Sequence, residues 1–101
     1  MQDTPQYSID FPSYFDDDEV DIIEKGVFQG VIIRSDGRTY APVFYSPLRL
    51  QQTIAIELAE RPGYFVEPHL LVIQIVNRAH IEVAVKELAS RKFWDLNPVN
   101  E

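Results

Sequence analysis

The sequence predicts a small α+β fold, and three observations carry that expectation. Two runs rich in β-branched and aromatic residues flank an Asp36-Gly37 pair. Two longer stretches repeat apolar residues at helical spacing behind good capping residues, and an apolar run from Leu70 to Val76 separates them. The expected order is a short N-terminal helix, a β-hairpin, a helix, a buried strand and a C-terminal helix. All of it falls in a single domain over 1–101, in which 1–26 form an acidic, aromatic segment and 27–101 the sheet-and-helix body. A chain of 101 residues buries roughly two-thirds of the surface its unfolded form exposes, enough for one modest core.

The first helix is expected over about 16–25. Asp16 suits the N-cap, Glu19 three residues on completes a capping box, and Phe15 against Val20 would act as a hydrophobic staple. Lys25 suits the last turn and Gly26 a left-handed cap. A strand over Val20 to Ile23 is the competing reading. As a helix, the segment should turn Val20 and Ile23 onto the body and leave Asp17, Asp18 and Asp21 outward.

Next come Val27–Ile33 and Thr39–Tyr45, joined through Asp36-Gly37, the pair a type I′ hairpin turn favours because both central residues take positive φ. Gly30, inside the first run, marks a bulge or a close neighbour. Pro42 cannot donate to a ladder, so its strand should lie at an edge or carry a bulge there. Ser46-Pro47 then opens a helix through Glu60, with Leu50, Ile54 and Leu58 as its buried stripe and Arg61-Pro62-Gly63 as its stop. Leu70–Val76, apolar at nearly every position, reads as a strand covered on both faces inside the sheet. Asn77 caps a last helix over about 79–90 with Ile81, Ala84, Val85 and Leu88 on one face, and Phe93, Trp94 and Leu96 follow in a tail.

Charge narrows the function classes. The net charge is −7, and half of the 16 acidic residues precede Lys25 with no Lys or Arg among them. A concentrated negative segment disfavours nucleic acid and anionic membrane and speeds encounter with a basic protein. The basic residues form no stripe, so direct nucleic-acid binding is not expected. With no cysteine, thiolate catalysis, disulfides and zinc-thiolate sites are excluded. The opening residues resemble no signal peptide and no apolar run is long enough to span a bilayer, so a cytoplasmic protein is expected.

Catalytic signals are sparse. No Gly-x-Ser-x-Gly occurs, and the glycines at 26, 30, 37 and 63 make no phosphate loop. His69 or His80 could act as a general base oriented by Glu67 or Glu82, but nothing in their spacing forces the pairs together. Four consecutive acids, Asp16 to Glu19, lack the spacers and glycine of a calcium loop. The chain therefore reads as non-catalytic, with no cofactor and no metal. Its candidate binding residues are Tyr14, Phe15, Asp16, Asp17, Asp18, Glu19, Asp21 and Glu24, where aromatic anchors sit beside acids that can steer a basic partner.

In size, lack of cysteine and the stretch Phe15-Asp16-Asp17-Asp18-Glu19-Val20-Asp21, the chain resembles the small acidic immunity proteins of bacterial toxin systems, including contact-dependent growth inhibition. The resemblance implies a protein, monomeric when free, that neutralises a cognate basic toxin, often a nuclease, by covering or distorting its cleft. The alternatives are a structural or adaptor subunit with oligomer contacts along the strand edge near Pro42, and a small enzyme using His69 or His80.

Overall fold

The computed structural model describes residues 6–60 and 63–99. Its elements are β1 (Ser8–Asp10), α1 (Phe15–Lys25), β2 (Val27–Gln29), β3 (Ile32–Ser35), β4 (Arg38–Tyr40), β5 (Val43–Tyr45), α2 (Pro47–Glu60), β6 (Leu70–Val72) and α3 (Arg78–Ser90). The α+β class is as expected. One long, kinked hairpin organises it, turning at Asp36 and Gly37 with φ of 53° and 74°, the positive values that the Asp-Gly pair supplies.

Both arms of the hairpin break midway. Ile33 pairs with Tyr40 but Gln29 pairs with Val43, so Gly30, Val31 and Ile32 face only Ala41 and Pro42. The extra residue is a β-bulge, with Gly30 at φ 138°, and the missing Pro42 N–H costs no ladder bond there. The bulge also divides the sheet. The outer half of the hairpin joins β1 in the order β1-β3-β4, and the inner half joins β6 in the order β2-β5-β6. Strand β1 escaped the sequence reading because three residues with only Ile9 half-buried carry no periodic signal.

The strand buried on both faces is β5, not the segment from Leu70 to Val76. Order β2-β5-β6 puts β5 in the middle: Phe44 enters the core, while Val43 and Tyr45 fill the opposite face. Only Leu70–Val72 form a strand, at the sheet edge and parallel to β5, and Val72 and Ile75 are exposed. A parallel neighbour requires a crossover, and α2 supplies it.

Phe15 and Ile22 of α1, Phe28, Val31, Ile33 and Phe44 of the hairpin, and Ile81, Val85, Leu88 and Ala89 of α3 make one core. Phe93 closes it by stacking on Tyr40 at 5.0 Å. Helix α3 starts as expected, with the Asn77 side chain accepting from the His80 backbone N–H at 2.8 Å. Helix α2 also starts as expected, Ser46 Oγ accepting from Arg49 N–H at 3.2 Å. Its buried stripe, however, does not exist: no residue of α2 is buried, Leu50 and Ile54 are half-buried, and Leu58 is 40% exposed. Polar groups occupy part of its inward side, where Arg49 reaches the Lys25 carbonyl and Thr53 Oγ1, both at 3.3 Å. Of the expected helix stop, Arg61 and Pro62 lie outside the described residues, and Gly63 has φ 111°. The radius of gyration is 14.5 Å, against about 13 Å expected for a compact chain of this length.

Candidate protein-interaction face

Helix α1 begins two residues earlier than the expected cap at Asp16. Tyr14 is its N-cap and makes no side-chain cap bond, so Asp16 lies in the first turn instead of ahead of it. Gly26 ends it at φ 71°, its N–H bonded to the Ile22 carbonyl at 2.9 Å. The rotation of the helix also differs from expectation. Phe15, Glu19 and Ile22, at helical i, i+4 and i+7 spacing, form the inner face, whereas Val20 is 70% exposed and Ile23 41% exposed. The Phe15–Val20 staple is therefore absent; Phe15 packs against Phe11 and Phe28 at 4.9 and 5.0 Å. Three aromatic rings clustered beneath one helix outweigh a single Val, and they set which side faces in.

The eight residues nominated from the sequence divide into three groups. Phe15 is fully buried and anchors the helix to the core, so it offers nothing to a partner. Asp16 and Glu19 are occupied within the chain. Arg78 Nε donates to Asp16 Oδ1 at 2.9 Å, and the Arg78 backbone N–H donates to Glu19 Oε2 at 2.8 Å, so Glu19 helps satisfy the N-terminus of α3. Donating this hydrogen bond to Asp16 raises the proton affinity of the Arg78 guanidinium, which also lies 3.9 Å from the centre of the Phe11 ring.

Tyr14, Asp17, Asp18, Asp21 and Glu24 form the third group. All five are exposed, and none of the four acids has an ion pair or side-chain hydrogen bond with a described residue. Asp17, Asp21 and Glu24 share the outermost face with Val20, at i, i+4, i+7 and i+3. Beside them a cleft of 380 Å³ opens between α1 and β2, walled by Tyr14, Asp18, Asp21 and Lys25, with Phe28 and Gln29 on the strand side. Tyr14 meets Phe28 edge-on at 6.4 Å. Val20 and Ile23 belong to this surface although the sequence assigned them to the core. Their signal was present in the spacing, since Phe15 and Ile22 at i and i+7 fix the inner face and leave Val20 outside it.

Neither histidine is hydrogen-bonded to the carboxylate suggested for it. His80 Nδ1 lies 2.8 Å from Asn77 Oδ1, not against Glu82, and Glu67 accepts a 2.5 Å hydrogen bond from the Tyr45 hydroxyl, not from His69. Burial and this bond together push the Tyr45 phenol up to about 12. No group of three metal-ligating side chains occurs among the described residues. Pro42 itself is fully buried; the strand before it, β4, lies at the edge of its sheet, and the strand after it, β5, lies in the middle of the other. No helix among the described residues is long and apolar enough to cross a membrane. In comparisons with known proteins the chain matches no family model, no curated protein and no solved structure.

Proposed function

We propose that this protein is a non-catalytic inhibitor that binds a basic protein, a cognate toxin domain such as a nuclease, through the exposed face of α1. One observation carries the reading: Asp17, Asp18, Asp21 and Glu24 stand exposed together without a basic partner among the described residues, around the exposed Val20. Like charges at helical neighbour positions cost a few tenths of a kcal/mol per pair; the helix dipole offsets this for Asp17 and Asp18 in the first turn but gives no such support to Asp21 and Glu24. A partner supplying Lys or Arg would reverse the sign of that term. Apolar contact from Val20, Ile23 and Tyr14 would add the desolvated area that charge alone lacks.

The occupied acids sharpen the assignment. Asp16 and Glu19 hold α1 against α3 through Arg78, which fixes the orientation of the free face before any partner arrives. The test is titration calorimetry against the basic protein that a pull-down with this chain recovers, with Asp17→Asn, Asp18→Asn and Asp21→Asn combined. Loss of buried charge pairs should weaken binding by roughly 2–5 kcal/mol, and exposed rim charges should chiefly slow association and flatten its salt dependence. Unchanged affinity and unchanged salt dependence would reject α1 as the interface.

A further inference from the structure

We infer that the cleft between α1 and β2 is an arginine pocket, which takes one guanidinium side chain of the basic partner against the Tyr14 ring and onto the Asp18 carboxylate. The inference rests on the reading of α1 as the interface and names the side chain which that interface recognises. Its first support is a precedent inside the chain. Arg78 lays its guanidinium over the Phe11 ring, 3.9 Å from the centroid, while its Nε donates to Asp16 Oδ1 at 2.9 Å. An aromatic ring and a first-turn carboxylate of α1 thus already hold one guanidinium on the inner flank of the helix.

The same two kinds of group stand along the cleft. Tyr14, Asp18 and Asp21, at i, i+4 and i+7, follow one stripe of α1 and form its helical wall. Tyr14 is 51% exposed, yet its ring is backed by the core: it meets Phe28 edge-on at 6.4 Å, and Phe28 packs on Phe15 at 5.0 Å. Asp18 and Asp21 are exposed and have no ion pair with a described residue. Lys25 also lines the cleft, but at 1.5 Å of rise per residue it lies about 10 Å along the helix from Asp18. The Tyr14 end is therefore the negative end, and a cation enters there.

Shape and chemistry choose arginine. At 380 Å³ the cleft is near the lower end of ligand pockets, roughly 300–1,000 Å³, which suits one side chain and not a helix or strand. A lysine ammonium is compact and strongly hydrated, so it gains from the carboxylates alone. A guanidinium is planar and more weakly hydrated, and it stacks on a ring while its N–H fork bonds a carboxylate. Only the guanidinium uses Tyr14 and Asp18 at once. The exposed Gln29 on the strand side adds a side-chain carbonyl that can accept one of its remaining N–H groups.

Heteronuclear NMR titration of the full chain with N-acetyl-arginine amide and N-acetyl-lysine amide tests this. The arginine derivative should move the backbone amides of Asp18, Asp21 and Gln29 saturably and bind about two- to fivefold more tightly than the lysine derivative. Asp18→Asn should weaken its binding at least about threefold. Tyr14→Ala should remove the preference for arginine, and Tyr14→Phe should keep it. Tyr14 makes no side-chain cap bond and Asp18 is exposed, so these variants keep the fold, which circular dichroism checks. Absence of saturable shifts at these amides, equal affinity for the two derivatives, or a preference indifferent to Tyr14→Ala overturns the pocket, whatever calorimetry with the basic protein shows. Arginine-selective binding beside unchanged calorimetry in the triple Asp variant would instead reject α1 as the interface, and with it the partner's arginine as the occupant, so the two failures are told apart.

Discussion

Helices α1 and α2 exchange the roles that their compositions suggest. Helix α1 is the acidic one, yet it is built into the core through Phe15 and Ile22 and bound to α3 through Arg78. Helix α2 is the more apolar one, yet it rests on the body along a single half-buried side and leaves Leu48 and Ile56 in solvent. Hydrophobic content therefore does not rank these helices by burial. What ranks them is whether two or three large side chains stand at i, i+4 and i+7 over a surface of matching shape, which α1 has over Phe11 and Phe28 and α2 lacks.

The largest effect should come from truncating the α1 anchor. Phe15→Ala removes a fully buried ring that touches Phe11 and Phe28, and should cost about 3–5 kcal/mol in urea unfolding. The matched change Ile56→Ala, in an exposed residue of α2, should stay within about 0.5 kcal/mol. Equal losses at the two positions would break the contrast between the helices.

The junction between the two regions should respond next. Gly26 holds a left-handed φ of 71°, and a Cβ there would sit 2.5 Å from Ser46 Oγ and 2.9 Å from Arg49 Cβ, the residues that open α2. Gly26→Ala should cost about 2 kcal/mol from backbone strain and crowding, read as a lowered midpoint of thermal unfolding. A variant as stable as the parent would show that α1 and α2 are joined more loosely than the structure places them.

The smallest effect lies under α2. Tyr45→Phe removes the hydrogen bond to Glu67 and should cost about 1 kcal/mol at neutral pH. Its pH dependence is the sharper readout. Because the folded phenol titrates near 12, above its ordinary value of 10.0, folding favours the neutral form. That contribution is complete below pH 10, falls as pH rises toward 12 and is gone above it, so the parent should lose more stability than Tyr45→Phe across this window. Parallel alkaline profiles for the two proteins would contradict the burial of the hydroxyl.

The amino-acid sequence by itself determined the local decisions. Asp36-Gly37 closes the hairpin, Ser46 and Asn77 cap α2 and α3, Gly26 ends α1, and Gly30 with Pro42 marks the bulge. Each is settled by the φ or the hydrogen-bonding groups of residues within a few positions, so neighbouring sequence suffices. Tertiary structure alone decided the rest. The sheet order β2-β5-β6 buries Val43–Tyr45 and leaves Leu70–Val72 at the edge, although both are equally apolar runs. Arg78, 62 residues from Asp16, withdraws two acids from the α1 surface and leaves four. Strand neighbours, helix rotation and long-range ion pairs depend on which distant surfaces fit and exclude water together, and residue spacing along one segment does not encode that.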